Sequence, residues 1–295
     1  MRIVGFFERN PILMVLLGVF GISLSSIFVK FSAAPSTVTA AFRLLWTVLL
    51  MTPIVFGKRV SRKELFSLPF NLFILSCISG FFLAVHFTFW FESLFQTSVA
   101  SSTTIVCTEV IWVSFGYCLF LKGQLPRKAA LFIGITFLGS VLIAFTDRAS
   151  GSSHLYGDIL ALIAAIAVAV YVLIGRVVRE RVSTTVYTYV VYVSCALFLC
   201  LFLFIQGTSL TGYGYGALIV GFLLAVFSTI LGHSIFSWCL RYFSPSFVSA
   251  SKLCEPVVAA VLAYFFFDEA PSMLQIIGGA VTLFGVFLYS KIELA

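Results

Sequence analysis

From Pro11 to Val29 the chain carries no charged residue. A helix needs about 20 mostly apolar residues to cross the hydrocarbon core of a bilayer, and runs of that kind recur along the whole sequence. Ten can be placed, at 11–31, 37–56, 70–91, 98–121, 128–146, 157–177, 186–206, 215–240, 246–267 and 272–290. The apolar stretches are continuous and do not alternate with period two, which argues for helices and against a barrel of strands. Interior glycines and prolines are compatible with such helices, because neighbouring helices satisfy the freed backbone groups. Composition agrees. Of 295 residues, 61% are hydrophobic and 10% charged, whereas a soluble domain carries about a quarter charged residues. Too little polar surface exists to coat a soluble particle, so the expected fold class is an all-α membrane protein with ten transmembrane helices.

The segments between the runs test that division. Arg2 and Arg9, the 58–63 cluster, Lys122, Arg127 and Lys128, Arg176 to Arg181, Arg241 and Lys291 all fall on one side. The other side holds Arg148 together with Asp147, Asp268 and Glu269. Cationic flanks stay cytoplasmic, so both termini are expected there, in a multi-pass protein of the inner (plasma) membrane. The net charge of +7 is thereby read as topology and not as a nucleic-acid footprint. Arg2 and Arg9 ahead of an apolar run resemble a signal peptide, but the run is long and ends in Lys30. A related segment recurs mid-chain, so a retained span is expected. The seven cysteines (77, 107, 118, 195, 200, 239 and 254) lie in apolar stretches without a Cys-x-x-Cys pair. They read as small buried side chains rather than a disulfide or metal framework.

The first five runs resemble the last five. Leu16–Lys30 matches Leu162–Arg176 in pattern, and each ends in a cation. His86 to Trp90 pairs with His233 to Trp238, Cys107-Thr-Glu109 with Leu253-Cys-Glu255, and Gln124-Leu-Pro126 with Glu269-Ala-Pro271. An odd number of spans per repeat makes the second half enter the membrane from the opposite face. Residues 11–146 and 157–290 are therefore expected to form two inverted five-helix repeats, an arrangement used by secondary transporters with a site near the bilayer midplane.

The layout, Ala41-Phe42-Arg43, the Ala164–Arg176 stretch and Glu255-Pro-Val-Val-Ala-Ala resemble the drug/metabolite transporter superfamily in its ten-span EamA branch. That resemblance covers nearly the whole chain. It implies two inverted bundles around a central cavity lined mainly by spans one to four and six to nine, with the last span of each half peripheral. Many members have proline where Val110 follows Glu109, so a kink is expected at Pro256 and not in the first half.

Ionisable groups at membrane depth cost about 2.5–3.5 kcal/mol each on insertion scales and rarely face lipid. Glu109 and Glu255 lie near the middle of equivalent spans. They are the candidate proton-coupling and substrate-binding carboxylates; the alternative is a packing role. Lys252, three residues before Glu255, can reach it along the helix, to neutralise it or to share a substrate. Pro256 frees a carbonyl or supplies a flexing point. Arg43 can clamp a carboxylate bidentately, or serve as partner of Glu109, which is the favoured reading. His86 and Trp90, one turn apart, suit proton transfer or stacking on a cationic or planar substrate; the equal alternative is a packing histidine and an interfacial tryptophan. Trp238 is their counterpart in the other half, and His233 reads as a packing residue. Thr104 and Thr108, with Ser101, form a polar stripe that lines a cavity or packs helices.

No His-Glu-x-x-His, Gly-x-Ser-x-Gly or Walker A motif occurs. Neither a metal site nor a cofactor is expected, and no nucleic-acid partner. The expected function is secondary transport of small organic metabolites such as amino acids, in the export direction, coupled to protons or to exchange, by a monomer or weak dimer in the lipid bilayer. The alternatives are a membrane-embedded enzyme acting on lipid-linked substrates, for which only Asp268, Glu269 and the 147–158 loop offer surface acids, and a passive channel.

Overall fold

The structure, a computed structural model, describes residues 11–97, 99–145, 155–267 and 272–294. Arg2, Arg9, Asp147, Arg148, Asp268 and Glu269, on which part of the charge asymmetry rests, lie outside the described residues. In chain order the helices are α1 (Pro11–Lys30), α2 (Ser36–Gly57), α3 (Arg59–Phe66), α4 (Phe70–Gln96), α5 (Val99–Val106), α6 (Glu109–Phe120) and α7 (Arg127–Phe145). They continue with α8 (Leu155–Arg179), α9 (Thr184–Gln206), α10 (Gly214–Leu223), α11 (Ser234–Cys239), α12 (Pro245–Ser251), α13 (Glu255–Phe267) and α14 (Met273–Glu293). A π-helical stretch, Leu224–His233, joins α10 to α11, and one 3₁₀ turn, Lys252–Cys254, joins α12 to α13. No strand occurs among the described residues.

Among the described residues, eight stretches are long and apolar enough to cross a membrane: Pro11–Lys30, Ser36–Gly57, Phe70–Gln96, Ser102–Phe120, Leu155–Arg179, Thr184–Gln206, Gly214–Cys239 and Ile276–Glu293. The other two expected spans are also helical, as α7 and as the interrupted pair α12–α13. The protein is an integral, multi-pass, all-helical membrane protein. Its outer belt is apolar, with Leu16, Leu197, Phe204 and Phe265 all largely exposed, as lipid-facing side chains are. The seven cysteines are free thiols.

Local chemistry sets the helix ends. Ser183 and Ser244 each accept a hydrogen bond at Oγ from the backbone N–H three residues on, at Val186 and Phe247, which satisfies one of the orphan donors of a first turn. Pro245 follows at the first helical position, where its missing N–H costs nothing. Gly207 ends α9 in the left-handed region (φ 64°), and the Thr208 N–H closes the end on the Leu203 carbonyl.

With lipid outside, helices are drawn together by close packing more than by hydrophobic burial, so small residues mark the tightest crossings. A Cβ on Gly21 of α1 would sit 2.7 Å from the Phe227 carbonyl oxygen in the π-helical stretch, and one on Gly232 2.7 Å from Ile22 Cγ2. At the α7–α14 seam, a Cβ on Gly139 would collide with the Thr282 hydroxyl and one on Gly285 with that of Thr136. The other extensive packings are α4 against α8, α4 against α9, and α2 against α9 and α10. Elements from the two halves of the sequence therefore interleave around a shared interior.

Candidate functional site

Two interrupted helices meet inside that interior. In the first half, α5 stops at Val106. The Thr108 N–H bonds the Ile105 carbonyl at 3.0 Å in a tight turn, and α6 restarts at Glu109. In the second half, α12 stops at Ser251, the 3₁₀ turn Lys252–Cys254 follows, and α13 restarts at Glu255-Pro256. The expected asymmetry, a kink at Pro256 and none in the first half, is thus corrected: both helices break just before their glutamate. The Thr108 hydroxyl supplies the reason, since it donates to the Ile105 carbonyl at 2.7 Å and competes with the helical ladder there. The breaks touch each other. The Cys107 thiol lies 3.8 Å from the Lys252 carbonyl, and the Ser140 hydroxyl donates to the Leu253 carbonyl at 3.3 Å.

That contact decides how the charges pair. Lys252 Nζ lies 2.8 Å from Glu109 Oε1, with both side chains buried, and 5.4 Å from the centre of the Phe236 ring. The expected pairings, Lys252 with Glu255 and Arg43 with Glu109, are both replaced. Spacing along one helix favours the first, but the fold brings Glu109 across from the other half within reach of the lysine. Glu255 forms no ion pair among the described residues, and its Oε1 has no hydrogen-bond partner there.

Arg43 goes elsewhere. It is fully buried. Its Nε donates to Thr229 Oγ1 at 2.7 Å and its Nη1 to Ser25 Oγ at 3.2 Å, while the guanidinium carbon sits 4.1 Å from the centre of the Phe87 ring. Arg43 thus ties α1, α2, α4 and the π-helical stretch together, and Nη2 is left without an acceptor among the described residues. His86 Nδ1 lies 3.0 Å from the Ala164 carbonyl on α8. A carbonyl only accepts, so that nitrogen carries the proton and Nε2 is the acceptor. The ring stacks on Trp90 (5.6 Å, 21°), whose indole N–H has no acceptor among the described residues.

These groups share one small cavity, with about 30 Å³ of space for water-sized molecules, lined by Ser25, Arg43, His86, Trp90, Glu109, His233, Lys252 and Glu255 with Ile22, Val106 and Val168. Each of the ionisable groups among them is less than 7% exposed. Six of the residues singled out from sequence line it. Three do not. Thr104 directs its hydroxyl to the Ser140 carbonyl, Thr108 closes the helix break, and Trp238 packs on Tyr242 with ring centres 4.4 Å apart.

His233, read from sequence as packing, also lines the cavity. Its ring lies 6.3 Å from that of His86 and 5.3 Å from that of Phe87. The available signal was its position as the repeat counterpart of His86. What carries it inward is the π-helical stretch, whose wider turn shifts the face that Thr229 and His233 present; such turns are rare and concentrate at functional sites.

Comparison with known proteins bears on this geometry. Residues 155–291 match the EamA-like transporter family. An uncharacterized transporter of Archaeoglobus fulgidus is 24% identical over 253 residues, covering 84% of this chain and 86% of its own. Another, YxxF of Bacillus subtilis, is 26% identical over 216 residues, covering 72% and 68%. A solved crystal structure superposes with a TM-score of 0.79 at 16% identity, over 97% of this chain and 98% of that one, and speaks to the fold alone. Residues 155–291 are thus an EamA-like transporter domain, and over most of its length the chain is similar to transporters.

Proposed function

We propose that this transporter is a secondary carrier of small organic metabolites, amino acids and related compounds among them, which alternates access around the central cavity. Export is the proposed direction. The same reading takes the ten helical stretches as ten spans in two inverted repeats, 11–146 and 157–290, with both termini cytoplasmic, in a monomer or weak dimer of the inner membrane. Reciprocal packing supports the repeat. The partners Thr136 and Thr282 stand 146 residues apart, and each meets the glycine of the opposite helix, Gly285 and Gly139.

The observation that carries the transport reading is the unequal use of the two carboxylates. Glu109 is ion-paired with Lys252 across the opposed breaks, while Glu255 stands in the same cavity with no ion pair among the described residues. A buried carboxylate without a partner is costly, so the site favours an incoming ammonium group or a proton there. Arg43 Nη2 and the Trp90 indole N–H are donors in want of an acceptor, which suits a carboxylate on the same ligand. In this state the cavity offers only about 30 Å³ to water-sized molecules, room for little more than water, so the proposed cycle must widen it to admit a metabolite. In the proposed cycle, neutralising Glu255 holds the cavity closed around its ligand. Release of Lys252 from Glu109 parts the breaks and opens one face.

Counterflow in proteoliposomes tests this. Vesicles preloaded with unlabelled amino acids should take up labelled ones faster than empty vesicles, whereas a passive channel gives no such stimulation. Glu255→Gln protein, confirmed folded and inserted, should lose counterflow; normal transport with unchanged pH dependence would overturn the assigned role.

A further inference from the structure

Away from the central cavity, a second cleft of about 250 Å³ opens where the two halves meet. Its walls are Glu64, Ser67, Leu68, Pro69, Asn71 and Leu72 from the α3–α4 junction, and Arg181 and Val182 from the turn between α8 and α9. A bond crosses the halves beside the cleft: Glu64 Oε1 accepts the Ser183 backbone N–H at 2.6 Å. Ser67 is also engaged, donating to the Lys63 carbonyl at 2.8 Å. Arg181 and Asn71 are exposed, and among the described residues no side-chain hydrogen bond or ion pair engages either of them.

The surroundings have two distinct characters. Lys58 just before α3, and Arg59, Arg62 and Lys63 on it, are exposed and form no ion pair among the described residues, while Ser61 is buried and Leu65 packs on the core. Beside them is apolar surface: Phe66 is 76% exposed and Phe70 77%, with Phe73 and Ile74 following along α4. A short helix with one packed edge, a cationic face and protruding aromatic rings lies in the plane of a bilayer interface. Basic pockets between membrane helices at that depth accept anionic head groups.

We propose that this cleft binds the headgroup phosphate of an anionic phospholipid, with Arg181 and Asn71 as its donors. The cations of α3 surround the headgroup, and the acyl chains lie along Phe70, Phe73 and Ile74. Arginine suits the task because its planar fork can take two phosphate oxygens at once. The occupant joins α3 of the first half to the α8–α9 turn of the second, so the lipid is a strut between halves and acts independently of what the central cavity carries.

Native mass spectrometry of the purified, delipidated protein gives the test, with phosphatidylglycerol and phosphatidylcholine of identical chains as probes. Phosphatidylglycerol should be retained over phosphatidylcholine by about fivefold, on the order of one cationic contact near an anionic surface. Arg181→Gln should remove that preference, and Arg181→Lys should restore part of it. Lys128→Gln, a cation on α7 outside the cleft, should leave it intact. Equal retention of the two lipids, or a preference that survives Arg181→Gln, overturns the site. Loss with Lys128→Gln as large as with Arg181→Gln means diffuse attraction and overturns it too. Displacement by glycerol phosphate as effective as by phosphatidylglycerol overturns the lipid assignment. Arg181 is exposed, so an unchanged melting temperature in detergent identifies variants that remain folded.

Discussion

Glu109 and Lys252 each need the other more than either needs its own helix. A buried pair gains little net stability over an apolar replacement, yet removing one partner strands a charge and costs about 3–5 kcal/mol. Glu109→Gln is therefore expected to lower thermal stability strongly, because Lys252 Nζ loses the carboxylate 2.8 Å away. Glu109→Gln combined with Lys252→Met should recover most of that loss. Melting curves of the four proteins in one detergent form a double-mutant cycle that reads the coupling directly. Equal and additive losses would mean that the pair is not the link between the two breaks. Both residues were conspicuous in the sequence, since a charge inside an apolar run is costly and so needs a reason. Their pairing was not, because Lys252 sits three residues from Glu255 and far along the chain from Glu109. Only the fold places the two breaks in contact.

At the level of elements, the same contrast separates what composition encodes from what hydrogen-bond register encodes. The helical stretches were legible from runs of apolar residues, including α7 and the interrupted α12–α13. The break between α5 and α6 was not: its cause is a threonine hydroxyl bonding a carbonyl three residues back, a choice that the same sequence can make or decline. The π-helical stretch was equally silent, since Leu224–His233 has the composition of any span. Its tight crossing with α1 is a place to test the packing. Gly21→Ala would put a methyl 2.7 Å from the Phe227 carbonyl oxygen, and backbone cannot yield as a side chain does. Overpacking of this kind costs about 1–3 kcal/mol. Gly134 of α7 has nothing within 4 Å of the corresponding position. Gly134→Ala should thus be neutral, or stabilising by about 0.5–1 kcal/mol through helix propensity. Comparing the two melting temperatures checks that the crossing, and not loss of a glycine, sets the cost.

For the whole molecule, the packing suggests which parts move as bodies in the proposed cycle. The closest crossings join opposite halves of the sequence: α4 with α8, and α1 with the π-helical stretch. Such crossings leave no slack for sliding, because close-packed interfaces resist continuous deformation. The bodies that rock are then α4–α6 with α8 on one side, and α1 with α10–α13 on the other. The cavity and the Lys252–Glu109 pair lie on the boundary between them. Two cross-links distinguish this division from one in which the sequence halves themselves rock. Phe28 and Phe227, with ring centres 6.1 Å apart, lie within one body but in different halves. Cysteines placed there and joined by a short bifunctional thiosulfonate should leave counterflow intact. Cys107, whose thiol lies 3.8 Å from the Lys252 carbonyl, joined to a cysteine replacing Leu253, spans the boundary and should arrest it. Reducing a cleavable linker should restore the rate. If the first cross-link stops transport as completely as the second, the moving bodies are the halves of the sequence, and the ion pair at the breaks is one contact of a hinge rather than the gate.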